Sequence, residues 1–212
     1  MWFCDAAFLL IKGYRGSPLR ATFQGVARAD IPDADALLDV ETPVLDHGFV
    51  RLVDYMGGDQ RIVQSARVSY GEGTKGFRKD EGLIRYLLRN EHTSPFEQVI
   101  LTFHVKLPIF VARQWVRHRT ARLNEISGRY SIISHEYYIP DETVIARQSR
   151  DNKQGRQMEP VSPADAAEVR TRLVRTASDA FARYDELLDA GIARELARVG
   201  LPLSTYTEWY WQ

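Results

Sequence analysis

Residues 99–118 read VILTFHVKLPIFVARQWVRH, and this stretch decides the fold expected for the chain. From Val99 to Lys106, apolar residues at the odd positions alternate with a second, mostly polar set, which is the two-residue period of a β-strand. Pro108 follows at once, and proline suits the first turn of a helix. The stretch therefore predicts a strand over Val99–Lys106 and a helix from Pro108 to about His118.

The segments before this stretch alternate between strand and helix patterns. Phe49–Asp54 alternates like a strand, and Gln60–Val68 is compatible with a short helix. Ser69–Phe77 (SYGEGTKGF) is rich in glycine and predicts a loop. Asp80 is then the expected N-cap of a further helix. The apolar face of that helix consists of Leu83, Ile84, Leu87 and Leu88.

The segments after it predict one more strand and a long helix. Ser131–Ile139 has the pattern of a strand, whereas Asp141–Pro160 is polar, has no period and predicts a surface loop. Ser162 begins a long helix with a variant of the capping box, and Gly191 ends it. A short helix is expected over Ile192–Val199. The apolar stripe of the long helix is formed by Val169, Leu173, Ala177, Phe181, Tyr184 and Leu188.

The composition excludes several classes of protein. The 212 residues are 44% hydrophobic and 26% charged, values that are typical of a globular domain. The 28 basic residues balance the 28 acidic ones, so no overall field attracts nucleic acid or an anionic membrane. The single cysteine, Cys4, excludes an internal disulfide framework and a four-cysteine zinc site. Since no run of 18 apolar residues occurs, we expect a cytoplasmic protein without a spanning helix.

The first 44 residues look like an extension of the domain. Met1–Ile11 is apolar, but Asp5 interrupts it and the first basic residue, Lys12, follows it, unlike a secretory signal. The rest of the segment is mildly acidic and predicts a solvated arm. We therefore divide the chain into a poorly ordered extension over residues 1–44 and a domain over residues 45–212.

Residues 111–130, VARQWVRHRTARLNEISGRY, hold the side chains that indicate chemistry. They include five arginines against one glutamate, in a protein whose formal net charge is zero. Arginine binds phosphate through two parallel N–H bonds. Ser127 and Gly128 add a hydroxyl group and a backbone that an anion can approach closely. Glu125 adds an acceptor, which suggests a ligand that carries hydrogen-bond donors as well as phosphate, such as a nucleotide.

Two other interpretations of this cluster stay open at this point. The arginines can form a solvated basic face, or pair with carboxylates elsewhere in the chain. They can also bind RNA or DNA, with Trp115 or Tyr130 stacking on bases. The neutral net charge and the absence of lysine from the cluster argue against nucleic acid. The five histidines show no pair at metal-ligand spacing, so no metal site is expected.

The same segment resembles the signature of the flavin-dependent thymidylate synthases. In that family Arg-His-Arg is followed by seven residues and a serine, within the longer form RHRxxSxNExSxRY. Here residues 117–119 and Ser127 complete the short form. Four further segments are similar to the family in the same order, so the resemblance covers roughly residues 45–212. They are ARVSY (66–70), HTSPFE (92–97), FHVKLPIFVARQW (103–115) and RELARVGLP (194–202).

The resemblance implies a fold, a reaction and an assembly. The fold is α/β (α+β), with an antiparallel sheet flanked by helices. The family methylates dUMP to dTMP, with methylenetetrahydrofolate as carbon donor and NADPH as reductant through FAD. No cysteine nucleophile is needed, in agreement with a chain whose one cysteine lies in the extension. Family members are homotetramers with shared active sites that bind dUMP and folate small molecules, and neither nucleic acid nor a membrane is an expected partner.

The resemblance also assigns residues to ligands. Ser127, once proposed as a nucleophile in the family, is expected to contact substrate, because no base adjoins it in the sequence. The implied dUMP-binding residues are Gln114, Trp115, Val116, Arg117, Glu125, Ile126, Ser127, Gly128, Arg129 and Arg198. The implied FAD-binding residues are Ser69, His92, Ser94, Arg117, His118, Arg119 and Glu125. No catalytic residue is assigned, because the family's activating arginine lies beyond residue 212.

Two departures from the family pattern affect these expectations. Arg122 replaces the middle serine of RHRxxSxNExS, and we expect the function to survive because the more defining positions are intact. Aromatic residues crowd Ser204–Gln212 (STYTEWYWQ), and they either pack on the domain or mark a cut within a longer chain. We expect a truncated family member that is weak or inactive alone. The alternative is a non-catalytic nucleotide- or RNA-binding remnant of the family.

Overall fold

The computed structural model describes residues 31–68 and 77–212. Their larger sheet has five strands, β1 (Glu41–Val44), β2 (Gly48–Met56), β3 (Ile100–Pro108), β4 (Leu123–Glu125) and β7 (Tyr206–Trp211). The strand order is β1-β2-β3-β7-β4, and every neighbouring pair is antiparallel. The described helices are α1 (Pro32–Asp35), α2 (Asp59–Val68), α3 (Phe77–Arg89), α4 (Ile109–Trp115), α5 (Pro163–Asp189) and α6 (Arg194–Ala197). The predicted class, an antiparallel sheet flanked by helices, is confirmed.

The middle strand, β3, confirms the alternation seen in the sequence. Val105 and Leu107 are buried and belong to the main apolar core together with Trp209. His104 and Lys106 occupy the alternate positions, and both have carboxylate partners. Because successive side chains of a strand point to opposite faces, β3 separates an apolar layer from a polar one.

Helix α4 follows β3 directly, as predicted, but it ends at Trp115 and not near His118. Trp115 packs edge-on against Trp209 and Trp211, with ring centroids 5.9 and 5.6 Å apart. These contacts anchor the last turn of the helix to the sheet. Residues 117–119 therefore lie in the segment that follows the helix.

The start of α3 shows that the N-cap prediction for Asp80 is wrong. The helix begins at Phe77, and Asp80 lies in its first turn. The buried Asp80 carboxylate accepts a hydrogen bond from the Arg67 guanidinium at 2.6 Å. This ion pair joins α2 to α3, so tertiary contact took the side chain away from the capping position. Residues 69–76 of the expected glycine-rich loop lie outside the described residues.

Helix α5 begins and ends where the sequence predicts. The Ser162 hydroxyl accepts a hydrogen bond from the Asp165 N–H at 3.2 Å, as an N-cap does. Gly191, just beyond the helix end, has a φ of 77°, the left-handed conformation that glycine adopts without strain. The next predicted helix, Ile192–Val199, is divided into α6 and a 3₁₀ turn over Arg198–Gly200.

Two segments between α4 and α5 differ from the prediction. Ser131–Ile139 is not a strand, since its pairing with the sheet is limited to an isolated bridge between Tyr137 and Thr205. Asp141–Pro160 is not a featureless loop, because it contains the antiparallel pair β5 (Ala146–Gln148) and β6 (Arg156–Pro160). The Gln148 amide donates to the carbonyl of Gly155 at 2.7 Å. Because polar contacts hold this pair of strands together, its sequence has no periodic pattern of hydrophobic residues.

The aromatic residues at the end of the chain form β7, which the sequence analysis did not identify as a strand. Trp209 is 1% exposed and its neighbour Tyr210 is 43% exposed, so alternate residues face opposite sides. Because β7 lies between β3 and β4, it is an inner strand of the sheet. These aromatic residues pack on the domain, in agreement with the first of the two interpretations above.

The division of the chain at residue 44 stays a prediction. β1 lies on the N-terminal side of that division and pairs with β2, from Glu41 opposite Arg51 to Val44 opposite Gly48. Residues 1–30, which include Cys4, lie outside the described residues. No helix within the described ranges is both long enough and apolar enough to cross a membrane.

Candidate functional site

An arch of backbone forms the centre of the site. β4 ends at Glu125, and the N–H of Ile126 still donates to the carbonyl of Glu208 in β7 at 2.9 Å. The chain then leaves β7 and returns to it at Glu136, whose carbonyl accepts the N–H of Tyr206 at 2.9 Å. We call residues 127–135 the arch, because they span the edge of β7 that faces away from β3.

A cavity of about 230 Å³ lies beneath the arch. Five of the predicted dUMP-binding residues line it, although they come from two distant segments of the chain. These five are Glu125, Ile126, Ser127, Gly128 and Arg198. The Glu125 carboxylate accepts a hydrogen bond from the Thr207 hydroxyl at 2.6 Å, which orients it. The fold therefore brings together a set of residues that the sequence could only group by resemblance.

Gly128 and Arg198 are in close contact within this cavity. A Cβ atom added to Gly128 would lie 3.2 Å from both Cδ and Nη1 of Arg198, and 2.8 Å from Cδ1 of Ile133. A larger residue would therefore displace the guanidinium. The Arg198 side chain has no hydrogen bond or ion pair with any other described residue. Its donors are therefore directed to no protein acceptor there and are free to bind a ligand.

Charged side chains form the end of the cavity next to the sheet. Lys106 Nζ lies 2.8 Å from a carboxylate oxygen of Glu136 and 3.9 Å from one of Glu208. The other Glu208 oxygen lies 3.1 Å from His104 Nε2, and Arg51 Nη2 lies 2.8 Å from His104 Nδ1. Because Arg51 donates to Nδ1, His104 carries its proton on Nε2 and donates it to Glu208. Burial alone would raise the pKa of Glu136, but the hydrogen bond and charge of Lys106 hold it below its ordinary value.

A second recess, open to solvent, lies at the end of α4. It is lined by Trp115, Thr120 and Trp211 together with the Arg-His-Arg triplet of residues 117–119. Among the described residues, none of the three side chains of this triplet has a hydrogen bond or an ion pair. The interpretation that these arginines pair with carboxylates is therefore wrong for this part of the chain. Their charge remains available to an anion.

A third recess adjoins the second and shares Thr120 and Trp211 with it. Glu97, from the HTSPFE segment, and Arg122 also line it. Arg122 and Gln212 exchange two backbone hydrogen bonds of 2.9 Å, and Arg122 Nη1 donates to Gln212 Oε1 at 3.0 Å. Arg122, which stands where the family motif has serine, thus extends the pairing of β4 with β7. Its guanidinium is hydrogen-bonded within the protein.

Several predicted residues lie outside these recesses. His92 and Ser94 are exposed in the turn before β3, where the His92 ring packs edge-on against Tyr86 with centroids 6.1 Å apart. Ser69 lies outside the described residues. Three more exposed residues of the predicted dUMP set line neither the cavity nor the recess at the end of α4. They are Gln114, Val116 and Arg129. A single copy of the chain therefore divides the predicted site into separate parts.

Sequence reasoning missed the sheet side of the cavity. These residues are Lys106, Glu136, Tyr206, Thr207 and Glu208. One signal was available, because a lysine on the middle strand of a sheet needs a polar partner. Glu136 gave no signal, since its segment had the pattern of a strand. No three His, Cys, Asp or Glu residues converge into a metal-binding group within residues 31–68 and 77–212.

Comparison with known proteins agrees with the resemblance. The flavin-dependent thymidylate synthase of Treponema denticola is 69% identical over 175 residues, which are 82% of this chain and 66% of that protein. The flavin-dependent thymidylate synthase of Treponema pallidum is 60% identical over 187 residues, which are 88% of this chain and 61% of that protein. The chain thus spans slightly less than two thirds of the length of these relatives.

A solved structure shares the fold. The UMP/dUMP methylase PolB from Streptomyces cacaoi, bound with 5-Br UMP, superposes with a TM-score of 0.70 at 40% identity, over 79% of this chain and 71% of that chain. The family model described as "Thymidylate synthase complementing protein" matches residues 51–212. This chain therefore belongs to the thymidylate synthase complementing protein family, which is the flavin-dependent thymidylate synthase family that its signature indicated.

Proposed function

We propose that this chain forms part of an enzyme that methylates dUMP to dTMP, with methylenetetrahydrofolate as carbon donor and NADPH as reductant through FAD. One observation carries the proposal: a cavity lined by Gly128 and Arg198 lies in the same domain as an unpaired Arg-His-Arg triplet. A site for a nucleotide and a site for a larger anionic cofactor are what this reaction needs. The relatives are flavin-dependent thymidylate synthases and PolB is a UMP/dUMP methylase, which supports the same substrate and a flavin.

The dUMP site is the cavity beneath the arch. The Arg198 guanidinium and the backbone at Gly128 supply donors for the phosphate, since the missing Cβ lets an anion approach the chain. Arg129, an exposed residue of the arch that does not line the cavity, also belongs to the proposed dUMP set. The oriented carboxylate of Glu125 then accepts hydrogen bonds from the sugar or the base. The Ser127 hydroxyl can accept hydrogen bonds from these groups or donate to them. Gln114, Trp115, Val116 and Arg117 complete the proposed dUMP set.

The recess at the end of α4 fits the FAD phosphates. Its three cationic residues, 117–119, are unpaired among the described residues, and the Trp115 and Trp211 rings give it apolar walls. When bound, FAD supplies the hydride that turns the transferred one-carbon unit into a methyl group, so tetrahydrofolate leaves unoxidised. The chain's own task is to bind both molecules, to orient them and to keep positive charge near the pyrimidine. Four further residues, Ser69, His92, Ser94 and Glu125, complete the proposed FAD set.

Ser127 acts in this proposal by contacting the substrate. Its Oγ accepts the N–H of Arg129 at 3.3 Å, which shapes the start of the arch. No His, Asp or Glu side chain bonds to this hydroxyl among the described residues, so nothing there activates it as a nucleophile.

The division of the predicted residues between two recesses supports a shared site. In the proposed homotetramer, the recess at the end of α4 in one subunit completes the cavity beneath the arch of another. Such an arrangement also gives a place for the folate donor between subunits. We propose the cytoplasm as its location, in line with the nucleotide substrate and the single cysteine.

The visible spectrum of the purified 212-residue chain with FAD, before and after dUMP, tests the proposal. Bound flavin whose spectrum shifts with dUMP is expected. UMP and inorganic phosphate serve as competitors that separate recognition of the nucleoside from recognition of the phosphate. The Arg172→Ala variant, which changes an exposed arginine paired with Glu168 on α5, should behave as wild type.

Two results would contradict the proposal. A chain that folds and binds RNA but neither FAD nor dUMP would support the non-catalytic remnant. A chain that binds FAD with no response to dUMP would show that the cavity is not a nucleotide site.

A further inference from the structure

The turn between β1 and β2 contacts Tyr206, a residue that lines the cavity. Leu45 adopts a φ of 60°, a conformation that is costly for a leucine, and its side chain is 69% exposed. The next residue, Asp46, accepts a hydrogen bond from the Tyr206 hydroxyl and one from the Ile139 N–H at 3.4 Å. It also accepts the N–H of His47 at 3.0 Å. The strained backbone thus holds one carboxylate against two other parts of the fold.

One of those parts lines the cavity, and the other follows the arch in the chain. Tyr206 is a buried lining residue at the start of β7. Ile139 follows the arch, at the point where the chain has returned to β7. Asp46 therefore ties the strand under the cavity to the segment that closes it. Removing this carboxylate would release both contacts at once.

His47 adds contacts to the same wall. Its ring packs edge-on against the Tyr206 ring with centroids 5.7 Å apart, and its Nδ1 lies 4.0 Å from a Glu136 oxygen. Lys106 Nζ lies 6.0 Å from the centroid of the Tyr206 ring, on the cavity side, and 2.8 Å from Glu136. Tyr206 is thus enclosed between the turn and the charged end of the cavity.

The charges agree with this geometry. Burial would raise the pKa of Asp46, but the hydrogen bonds from Tyr206 and from backbone N–H groups together hold it below its ordinary value. Burial and the Asp46 carboxylate both raise the pKa of Tyr206. The proton therefore stays on Tyr206, and its hydroxyl donates to a charged acceptor, which is a strong bond.

We propose that Asp46 is a positioning residue for nucleotide binding, which holds Tyr206 in the cavity wall, and ties it to the segment after the arch through Ile139, without touching the ligand. This inference rests on the proposed function, since it takes the cavity as the dUMP site. Asp46 lies outside every motif of the family resemblance. In the sequence it precedes Glu125, the cavity residue on β4, by 79 positions.

The test compares two variants of the full 212-residue chain with FAD. Asp46→Asn keeps the shape and removes the charge, and Tyr206→Phe removes the donor. Each should weaken dUMP binding by about tenfold, because a wall that is no longer held in place must be ordered when the ligand binds. The double variant should lose little more than either single one, because both remove the same bond. The affinity for FAD and the flavin spectrum at saturating dUMP should stay unchanged.

Asp141→Asn is the matched control. Asp141 is an exposed carboxylate that caps a 3₁₀ turn through Thr143, and its pKa is also lowered, by the hydrogen bonds from Thr143. It should bind dUMP as wild type does. Equal dUMP affinity in wild type, Asp46→Asn and Tyr206→Phe would overturn the inference while leaving the proposed function intact. A wild-type chain that binds no dUMP would instead overturn the proposed function, and the inference with it.

Discussion

The cavity beneath the arch and the recess at the end of α4 both carry charged side chains, but in opposite settings. In the cavity, Glu125, Glu136 and Lys106 are fixed by hydrogen bonds to other side chains. In the recess, the Arg-His-Arg triplet is exposed and unpaired among the described residues. The cavity is therefore preorganised by the fold, whereas the charged side chains of the recess must be ordered by a ligand.

The core residue Trp209 should matter to both regions, and its loss should have the largest effect. It is 1% exposed, contacts Trp115 at the head of the recess, and lies opposite Glu125 across the β4–β7 pair. Trp209→Ala should lower the free energy of unfolding by about 3–5 kcal/mol. Urea denaturation measures it, with Tyr130→Ala, at a 75% exposed position, as the control. A loss below about 1 kcal/mol would show that β7 is not part of the core.

A single methyl group should distinguish the cavity from the recess. Gly128→Ala places a Cβ against Arg198 and Ile133, so dUMP binding should weaken by about tenfold through overpacking. FAD binding at the other recess should not change. Gly200→Ala is the control, because nothing lies within 4 Å of its added Cβ. Equal titration curves for the two variants would mean that Arg198 has room to move.

Raising the salt concentration should separate the recess from the cavity as well, with a smaller effect on ligand affinity. Exposed charges are screened far more than enclosed ones, so raising NaCl from about 0.05 M to about 0.5 M should weaken FAD binding several-fold. The affinity for dUMP should fall less. Arg119→Ala should reduce the salt dependence of FAD binding, whereas Arg172→Ala should leave it unchanged. If dUMP binding proves the more salt-sensitive, the assignment of the two ligands is reversed.

Lowering the pH should remove the contribution of the Asp46 carboxylate to stability. This is the smallest of the four expected effects. Because the folded-state pKa of Asp46 lies below its ordinary value of 3.8, its contribution to stability is present above that pH. The contribution is lost as the pH falls through the lowered pKa. Wild type should therefore be more stable than Asp46→Asn at pH 7, and the difference should shrink toward pH 2. A difference that is independent of pH would show that the carboxylate charge contributes nothing.

The helices and strands with a clear period were predictable, and those held by polar contacts were not. Val105 and Leu107 gave β3 a readable alternation, and Ser162 and Gly191 marked the ends of α5. The β5–β6 hairpin depends on backbone pairing and on bonds such as that of Gln148, which have no period. β7 escaped prediction because aromatic residues on both faces hid its alternation.

The candidate site was predictable only in part, for a similar reason. Residues close to the signature, such as Glu125 and Gly128, were found because they are neighbours in the sequence. Arg198 came from a second matching segment. Lys106 and Glu136 were missed because their pairing joins positions 30 residues apart, and Glu136 lies in a stretch that is neither helix nor strand.

The β3–α4 unit, the long helix α5, the family and the cationic triplet can be found from the amino-acid sequence alone. Each of these depends on local burial periods, on capping residues or on short motifs, which a linear chain records directly. Three features appear only in the folded chain: β7 separates β3 from β4, the arch encloses a cavity, and Asp46 accepts a hydrogen bond from Tyr206 in the cavity wall. Those features depend on the pairing of distant segments, and their energies arise from side chains that meet only after the chain has folded.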